Sequence, residues 1–545
     1  MMKKILNYPF ILVEKIENYP TSFLFWSISF LSIIFSRVLV ENWLSGMVNN
    51  SGDYFFHHVY YTFVFFLLVY LIFLGLVYRF LKVPIAKASN VLLFGYLLII
   101  TPPIFDYLIL GDKFYLSFYG IYGLEEMIKR FLTFFGDSPD FGVTYGVRIE
   151  IALTVFLIFF YGYAKTKRWI MSLSLALLAY TILFVLGTFP SWIAIIIKGF
   201  PAGFLNVDEI QIVQMFLSPA DIFSRSVGSF TNALSVKLSM IYSLLLTAVI
   251  LAGSYFHHKE KFISFLGNIR PVQIIYHIGL FVIGMGLGIK FTDVFWNVDF
   301  FNILGFLNLA LAIIFAWLAS VVANDFGDER IDAITNKSRP LSQKTFSKGQ
   351  YAAIGVLLFI FSLLLSAAIN PKVAMILAAY QALAWLYSMH PFRLKRIPLV
   401  ASFLSAITTI LVLFSGFMVA TTDQNIIDIP TQLIWLLIFS FTLSLPIKDL
   451  KDIEGDKKYG VFTIPVIFGE YWGKIIIGSG IFISYISSVF VLREFRLVFW
   501  AILLGGISFW IVVLSGKNKR ITNRNVIWWA IALVAIYAGI IFRYI

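Results

Sequence analysis

The feature that most constrains this chain is a series of about fifteen apolar stretches, each of about 20 residues. A helix of that length crosses the hydrocarbon core of a bilayer, and it satisfies its own backbone hydrogen bonds there. Of the 545 residues, 60% are hydrophobic and 13% are charged, whereas soluble domains have about 25% charged residues. The sequence therefore predicts an all-α polytopic membrane protein.

The apolar stretches fall into two groups separated by a polar segment near residues 257–271. About six lie in the N-terminal half, near residues 22–40, 58–81, 90–110, 145–164, 168–188 and 236–256. About nine lie in the C-terminal half, near residues 272–291, 302–323, 351–369, 373–390, 400–420, 431–447, 473–492, 497–515 and 526–543. We predict an N-terminal transmembrane domain over residues 1–260 and a second bundle over residues 261–545.

Lysine and arginine residues concentrate in alternate loops, whereas loops 41–56, 292–300 and 421–430 contain none. The positive-inside rule then places the N-terminus in the cytoplasm and the C-terminus outside. We expect the membrane to be a prokaryotic plasma membrane. These basic loops also account for the net charge of +13, so we expect no nucleic-acid partner. The absence of cysteine excludes disulfides, thiolate catalysis and cysteine-ligated metals.

A first acidic motif, N-D-x-x-D-x-x-x-D, consists of Asn324, Asp325, Asp328 and Asp332. On a helix, Asn324, Asp328 and Asp332 follow one another at intervals of four residues and share one face. Carboxylates on adjacent turns repel each other unless a cation lies between them. Ligands that offer only oxygen favour Mg²⁺.

A second acidic motif, formed by Asp449, Asp452 and Asp456, repeats the spacing of the three aspartates in the first. Both motifs lie where a predicted span meets the cytosol, on helices that run in the same direction. We expect the two motifs to face each other across one cavity. The simpler interpretation is that these are solvated loop charges balanced by nearby lysines, but the matched spacing and position favour a paired site.

Two facing carboxylate clusters suit the binding of a diphosphate. Mg²⁺ ions held by the carboxylates bridge to diphosphate oxygens, and basic side chains neutralise the remaining charge. If the substrate is an allylic prenyl diphosphate, loss of the diphosphate leaves a carbocation that a nucleophile captures. Mg²⁺ is the expected cofactor, and membrane lipid is an expected partner.

Three stretches resemble the UbiA superfamily of intramembrane prenyltransferases. The first motif, followed by N-K-S-R-P-L over 336–341, is similar to the family's first motif. The pair Asp452 and Asp456, followed by Gly460 and T-I-P over 463–465, is similar to the second. The stretch Y-S-M-H-P-F-R-L-K over 387–395 is similar to a third signature in a cytoplasmic loop. The resemblance covers roughly residues 270–545, and residues 1–260 show none.

The resemblance implies a nine-helix bundle that transfers a prenyl group, with Mg²⁺, from a prenyl diphosphate to a hydrophobic or aromatic acceptor; these two molecules are the expected partners. It implies a first metal and diphosphate site at Asn324, Asp328 and Asp332, supported by Asp325. Asp452 and Asp456 would form the second site, with Asp449 as an accessory ligand or base.

The resemblance also implies roles for four residues outside these clusters. Arg339, Lys395 and Lys448 are candidates to contact the diphosphate. Tyr387 is expected near the reacting carbon.

Several alternatives remain open at this stage. The acceptor is an aromatic quinone precursor, a glycerol-phosphate lipid, a tetrapyrrole or a phosphosugar, with a preference for quinone or isoprenoid-lipid biosynthesis. A transporter or flippase for lipids or prenyl phosphates would instead use the acidic residues as a cation-coupled site. Such sites tend to lie near the bilayer midplane, whereas both motifs here are at helix ends. A third hypothesis gives the two halves of the chain separate functions.

Overall fold

The computed structural model is almost entirely α-helical. It describes residues 2–44, 52–111, 123–136, 143–202, 209–218, 220–223, 225–227, 230–292, 298–329, 332, 336, 338–421, 426–458, 460–516, 521–523 and 525–544. Within these residues, 14 helical segments are long and apolar enough to cross a membrane. The prediction of an all-α polytopic membrane protein is therefore confirmed.

The chain divides into two compact units. The first unit comprises Met1–Ala220 and Ser226–Phe256, and the second comprises Asp221–Arg225 and His257–Ile545.

Eleven α-helices run from the beginning of the described chain to the end of the first unit. They are α1 (Met2–Glu17), α2 (Phe23–Leu44), α3 (Gly52–Leu81), α4 (Ile85–Gly95), α5 (Pro102–Leu110), α6 (Leu124–Leu132), α7 (Tyr145–Thr166), α8 (Trp169–Gly187), α9 (Phe189–Ala202), α10 (Glu209–Leu217) and α11 (Phe230–His257). Two short strands, β1 (Ala220–Ile222) and β2 (Arg225–Val227), pair with each other. The predicted span near 90–110 consists of α4, a 3₁₀ segment (Tyr96–Ile100) and α5. The new helix begins at Pro102, where proline is tolerated because the first helical N–H has no partner.

Eleven α-helices follow among the described residues of the second unit. They are α12 (Lys259–Leu266), α13 (Pro271–Thr292), α14 (Phe300–Gly327), α15 (Lys348–Ile369), α16 (Pro371–Ser388), α17 (Pro398–Ala420), α18 (Thr431–Ser444), α19 (Ile453–Lys458), α20 (Ile464–Val491), α21 (Val498–Val513) and α22 (Val526–Tyr544). Three 3₁₀ segments, Leu394–Arg396, Leu445–Lys451 and Phe495–Leu497, precede α17, α19 and α21.

Helix α16 corresponds to the predicted span near 373–390. It is 18 residues long and is not one of the 14 described segments that are long and apolar enough to cross a membrane. Lys372 and Gln381, together with the initial proline, reduce its apolar character. The two strands and the short α12 and α19 carry no periodic apolar signal, and the sequence did not predict them.

Helices α13 and α17 pack with their backbones in close contact. A methyl group added to Gly284 would overlap the carbonyl oxygen of Leu413, and one added to Gly416 would overlap the carbonyl oxygen of Phe281. Glycine at such a crossing lets two membrane helices approach closely. Both helices line the cavity described below, so this crossing fixes one wall of the site.

We expect Gly416→Ala to destabilise the folded protein by about 1–3 kcal/mol, because the overlapping atom belongs to the backbone and cannot rotate away. Thermal unfolding of the purified protein in detergent measures the change. Gly539→Ala on α22 is the matched control, since nothing lies within 4 Å of a methyl group there. Equal melting temperatures for the two variants would contradict this account of the crossing.

Candidate active site

The second unit contains a cavity of about 660 Å³. One part of its lining is apolar and includes Leu404, Leu413, Leu437, Phe441, Ile481, Ile531 and Val534. The polar part contains acidic, amide and basic side chains: Arg270, Asn324, Asp328, Asp332, Asn336, Arg339, Lys395, Lys448, Asp449, Lys451, Asp452 and Asp456. The cavity therefore offers a charged compartment for a polar group and an apolar compartment for a hydrocarbon.

The first acidic cluster, defined here as Asn324, Asp328 and Asp332, lies at the end of α14. Helical hydrogen bonding continues through it, because Asp328 N donates to Asn324 O at 2.9 Å and Asp332 N donates to Asp328 O at 2.8 Å. The next bond of the series joins Asn336 N to Asp332 O at 2.9 Å. These hydrogen bonds place the four side chains on one side of the helical segment. All four line the cavity: Asn324, Asp328, Asp332 and Asn336.

The second acidic cluster, Asp449, Asp452 and Asp456, spans the 3₁₀ segment after α18 and the short helix α19. Asp452 N donates to Asp449 O at 3.2 Å, and Asp456 N donates to Asp452 O at 2.9 Å. All three aspartates line the same cavity as the first cluster. The structure thus brings together two motifs that lie more than a hundred residues apart in the sequence.

Two buried basic side chains form ion pairs with the carboxylate of Asp328. Lys395 Nζ lies 2.5 Å from Asp328 Oδ2, and Arg393 Nη2 donates to Asp328 Oδ1 at 3.0 Å. Lys395 Nζ also donates to Asn324 Oδ1 at 3.0 Å. Sequence reasoning proposed Lys395 but not Arg393. The signal that could have identified Arg393 is its position inside the 387–395 signature.

The second cluster has a different set of neighbours. Asp449 and Asp456 form no ion pair with any residue that the structure describes, and Lys451 Nζ lies 3.8 Å from Asp452 Oδ2. Among the described residues, no carboxylate lies within hydrogen-bond distance of Lys448. Its ammonium donates to the hydroxyl of Tyr387 at 3.1 Å and to Ser405 Oγ at 2.8 Å.

The two clusters influence each other electrostatically. Burial raises the pKa of Asp456 to about 7, and the neighbouring carboxylates of Asp449, Asp452 and Asp328 contribute in the same direction. Burial likewise raises the pKa of Asp332. Additional positive charge in the cavity would relieve this repulsion.

Asp325 is the one predicted site residue that the structure places elsewhere. It does not line the cavity, and its side chain is 1% exposed. Its carboxylate accepts hydrogen bonds from Asn268 Nδ2 at 2.6 Å and from the Tyr351 hydroxyl at 2.7 Å. It also pairs with Arg270 at 3.0 Å and Arg339 at 3.5 Å. Neighbouring positions on a helix point about 100° apart, which directs Asp325 away from the face of Asn324.

The remaining predicted residues, Arg339 and Tyr387, line the cavity. Arg339 Nε lies 4.0 Å from Asp332 Oδ2, and its Nη1 donates to Asn268 Oδ1. Lys448 Nζ lies 5.0 Å from the centre of the Tyr387 ring, within the range of a cation–π contact. Asn268, Arg270 and Tyr351 were not identified from the sequence, because no motif links them to Asp325.

The oxygen donors of the cavity match the ligand preference of Mg²⁺, although no three acidic or histidine side chains of the described residues converge closely enough to enclose an ion. Mg²⁺ commonly takes one or two carboxylates and completes its shell with water and phosphate oxygens. The donor set therefore fits Mg²⁺ ions shared between carboxylates and a phosphate-bearing ligand. It does not form an all-protein cage.

Parts of this chain are similar to known proteins. Residues 294–529 match the model of the UbiA prenyltransferase family. A digeranylgeranylglyceryl phosphate synthase from Methanothermobacter thermautotrophicus is 25% identical over 244 residues, which is 42% of this chain and 84% of the relative. A 4-hydroxybenzoate octaprenyltransferase from Pseudoalteromonas translucida is 26% identical over 276 residues, or 48% of this chain and 89% of the relative.

Solved structures of UbiA homologues are also similar to this chain. One from Archaeoglobus fulgidus, bound to GPP and Mg²⁺, is 19% identical with a TM-score of 0.40, covering 51% of this chain and 97% of that one.

We expect Asp325→Asn to destabilise the protein by about 3 kcal/mol, because it removes the charge that compensates two largely buried arginines. Glu329→Gln is the control: its carboxylate pairs with Lys348 at 2.7 Å, but both side chains are exposed, so we expect a loss below about 1 kcal/mol. Thermal unfolding compares the two variants. A similar melting temperature for both would show that the Asp325 network is not structural.

Proposed function

We propose, from the match of residues 294–529 to the model of the UbiA prenyltransferase family, that this protein is an integral membrane prenyltransferase. It transfers a prenyl group from a prenyl diphosphate to a lipophilic or aromatic acceptor. The observation that carries the proposal is the convergence of two acidic clusters and several cations on one cavity whose other walls are apolar. A prenyl diphosphate has the same division into a charged group and a hydrocarbon.

The charged compartment binds the diphosphate. Asn324, Asp328 and Asp332 would hold one metal ion, and Asp452 and Asp456 would hold the other. Mg²⁺ bound there would neutralise the diphosphate and favour its departure.

The basic side chains of the cavity have a complementary role. Arg339, Lys395 and Lys448 donate to diphosphate oxygens and stabilise the charge that develops as the bond to the prenyl carbon breaks.

Two further residues act on the reacting centre. The ring of Tyr387 lies beside the prenyl carbon, where its π face stabilises positive charge. Asp449 accepts the proton that the acceptor loses when its new bond forms. The apolar walls exclude water, which would otherwise capture the carbocation.

We further propose that the cavity opens towards the cytoplasm of a prokaryotic cell, with the N-terminus inside and the C-terminus outside. The basic residues of the site and of its flanking loops, such as Arg396 and Lys457, support this orientation through the positive-inside rule.

The relatives support two acceptor classes, a glyceryl phosphate lipid and 4-hydroxybenzoate. The product then belongs to isoprenoid-lipid or quinone biosynthesis.

We assign the transfer reaction to residues 261–545, because every residue that lines the cavity lies between Arg270 and Ala538. Residues 1–260 form a separate transmembrane domain in this proposal, with a function distinct from the transfer step.

Membranes that contain the protein should transfer label from a radiolabelled prenyl diphosphate to one of a panel of acceptors when Mg²⁺ is present. Asp328→Asn and Asp456→Asn should each lower the rate by about a hundredfold or more. Asp428→Asn, an exposed aspartate outside the cavity, should retain the rate of the wild-type protein. The proposal fails if no donor releases diphosphate, and net movement of an unaltered lipid would instead support the transporter hypothesis.

A further inference from the structure

The two acidic clusters have the same spacing but opposite counterion arrangements. In the first cluster, each carboxylate oxygen of Asp328 faces a cation, Arg393 at 3.0 Å and Lys395 at 2.5 Å. Lys395 also donates to Asn324 at 3.0 Å. One ammonium group therefore holds two of the three metal-ligand candidates in this cluster.

The second cluster is not paired in this way, because its adjacent lysine, Lys448, donates to the hydroxyls of Tyr387 and Ser405. Asp449 and Asp456 make no ion pair within the part of the chain that the structure describes. The ammonium of Lys451 is 3.8 Å from Asp452, and both side chains are well exposed, at 38% and 46%. An exposed pair at that distance is weak and easily exchanged with solvent ions.

This difference changes what a metal ion encounters at each cluster. An ion that binds Asn324 and Asp328 must displace Lys395, whose side chain is only 8% exposed. The displaced ammonium would lose this ion pair in a largely buried position, which is unfavourable. At Asp449 and Asp456, by contrast, an incoming cation reduces repulsion and displaces no internal partner.

A diphosphate removes the obstacle at the first cluster. Its oxygens are the acceptors that a lysine ammonium prefers, and it lies between the two clusters in the proposed function. When Lys395 donates to the diphosphate, Asn324 and Asp328 become available to a metal ion. The ammonium then keeps a negatively charged partner throughout.

We propose that metal binding is ordered: one divalent ion binds the second cluster first, with water completing its coordination shell, and the first cluster takes its ion only together with a diphosphate that withdraws Lys395. This inference rests on the proposed function for the identity of the site. In this inference Lys395 controls metal binding at the first cluster, a role that the matched spacing of the two motifs does not reveal.

The test uses the purified full-length protein in detergent and Mn²⁺ as a paramagnetic substitute for Mg²⁺. The loss of the free Mn²⁺ signal in electron paramagnetic resonance counts the bound ions, with and without inorganic pyrophosphate. A titration of pyrophosphate without protein is subtracted. We expect one bound Mn²⁺ per chain without pyrophosphate and two with it.

Variants locate each ion. Without pyrophosphate, Asp456→Asn should weaken Mn²⁺ binding by at least about tenfold, whereas Asp328→Asn should leave it unchanged. Lys395→Met should raise the count without pyrophosphate from one to two. Lys395→Arg keeps the charge and should stay at one, and Lys451→Met, the matched lysine of the second cluster, should also stay at one.

Zero or two ions on the wild-type protein without pyrophosphate would overturn the proposed order. So would a count of one for Lys395→Met, or a loss of binding in Asp328→Asn that Asp456→Asn does not show. The wild-type counts with and without pyrophosphate need no variant, so misfolding of one variant cannot obscure the answer. Failure of the proposed function is a separate result, because it appears as absent transfer in membranes while these ion counts are still measured.

Discussion

The constraint on which the site depends is the cost of placing several carboxylates together at the ends of membrane helices. In a medium of low dielectric constant, unpaired charge is expensive and like charges repel strongly. The cavity contains five aspartates in two clusters, and the rest of the second unit provides their compensation. Arginine and lysine side chains come from the segments before α13, after α14, before α17 and at the end of α18. These segments are held in place because the helices that carry them are closely packed.

Much of this arrangement could be predicted from the sequence. The length of the apolar stretches identified the membrane helices, because a membrane span must form its backbone hydrogen bonds within itself. The interval of four residues placed Asn324, Asp328 and Asp332 on one face, and the structure continues the helical hydrogen bonds through them. The repeated spacing at Asp449 indicated a second cluster, and the structure places it in the same cavity.

The parts that the sequence did not reveal are contacts between distant segments. Asn268 and Tyr351 contact Asp325 across 57 and 26 residues, and no periodic pattern connects positions so far apart. Asp325 and Asp328 belong to one acidic motif, but they contact different segments. Asp325 contacts Asn268 and Tyr351, whereas Asp328 pairs with Arg393 and Lys395 beyond the end of α14. One aspartate stabilises the fold and the other faces the cavity.

The same reasoning explains why similarity of spacing does not make the two clusters equivalent. Spacing along a helix determines which carboxylates lie together, but the basic side chains that pair with them belong to other segments of the chain. The segment before α17 supplies Lys395 and Arg393 to the first cluster. The second cluster's adjacent lysine, Lys448, is instead engaged by the neutral hydroxyls of Tyr387 and Ser405. A lysine held by neutral groups keeps its charge available for an anionic ligand, whereas a lysine paired with Asp328 must first exchange partners. Two clusters with matched ligands can therefore differ in when they accept a cation, and that difference originates in loops whose roles are not encoded by the acidic motifs.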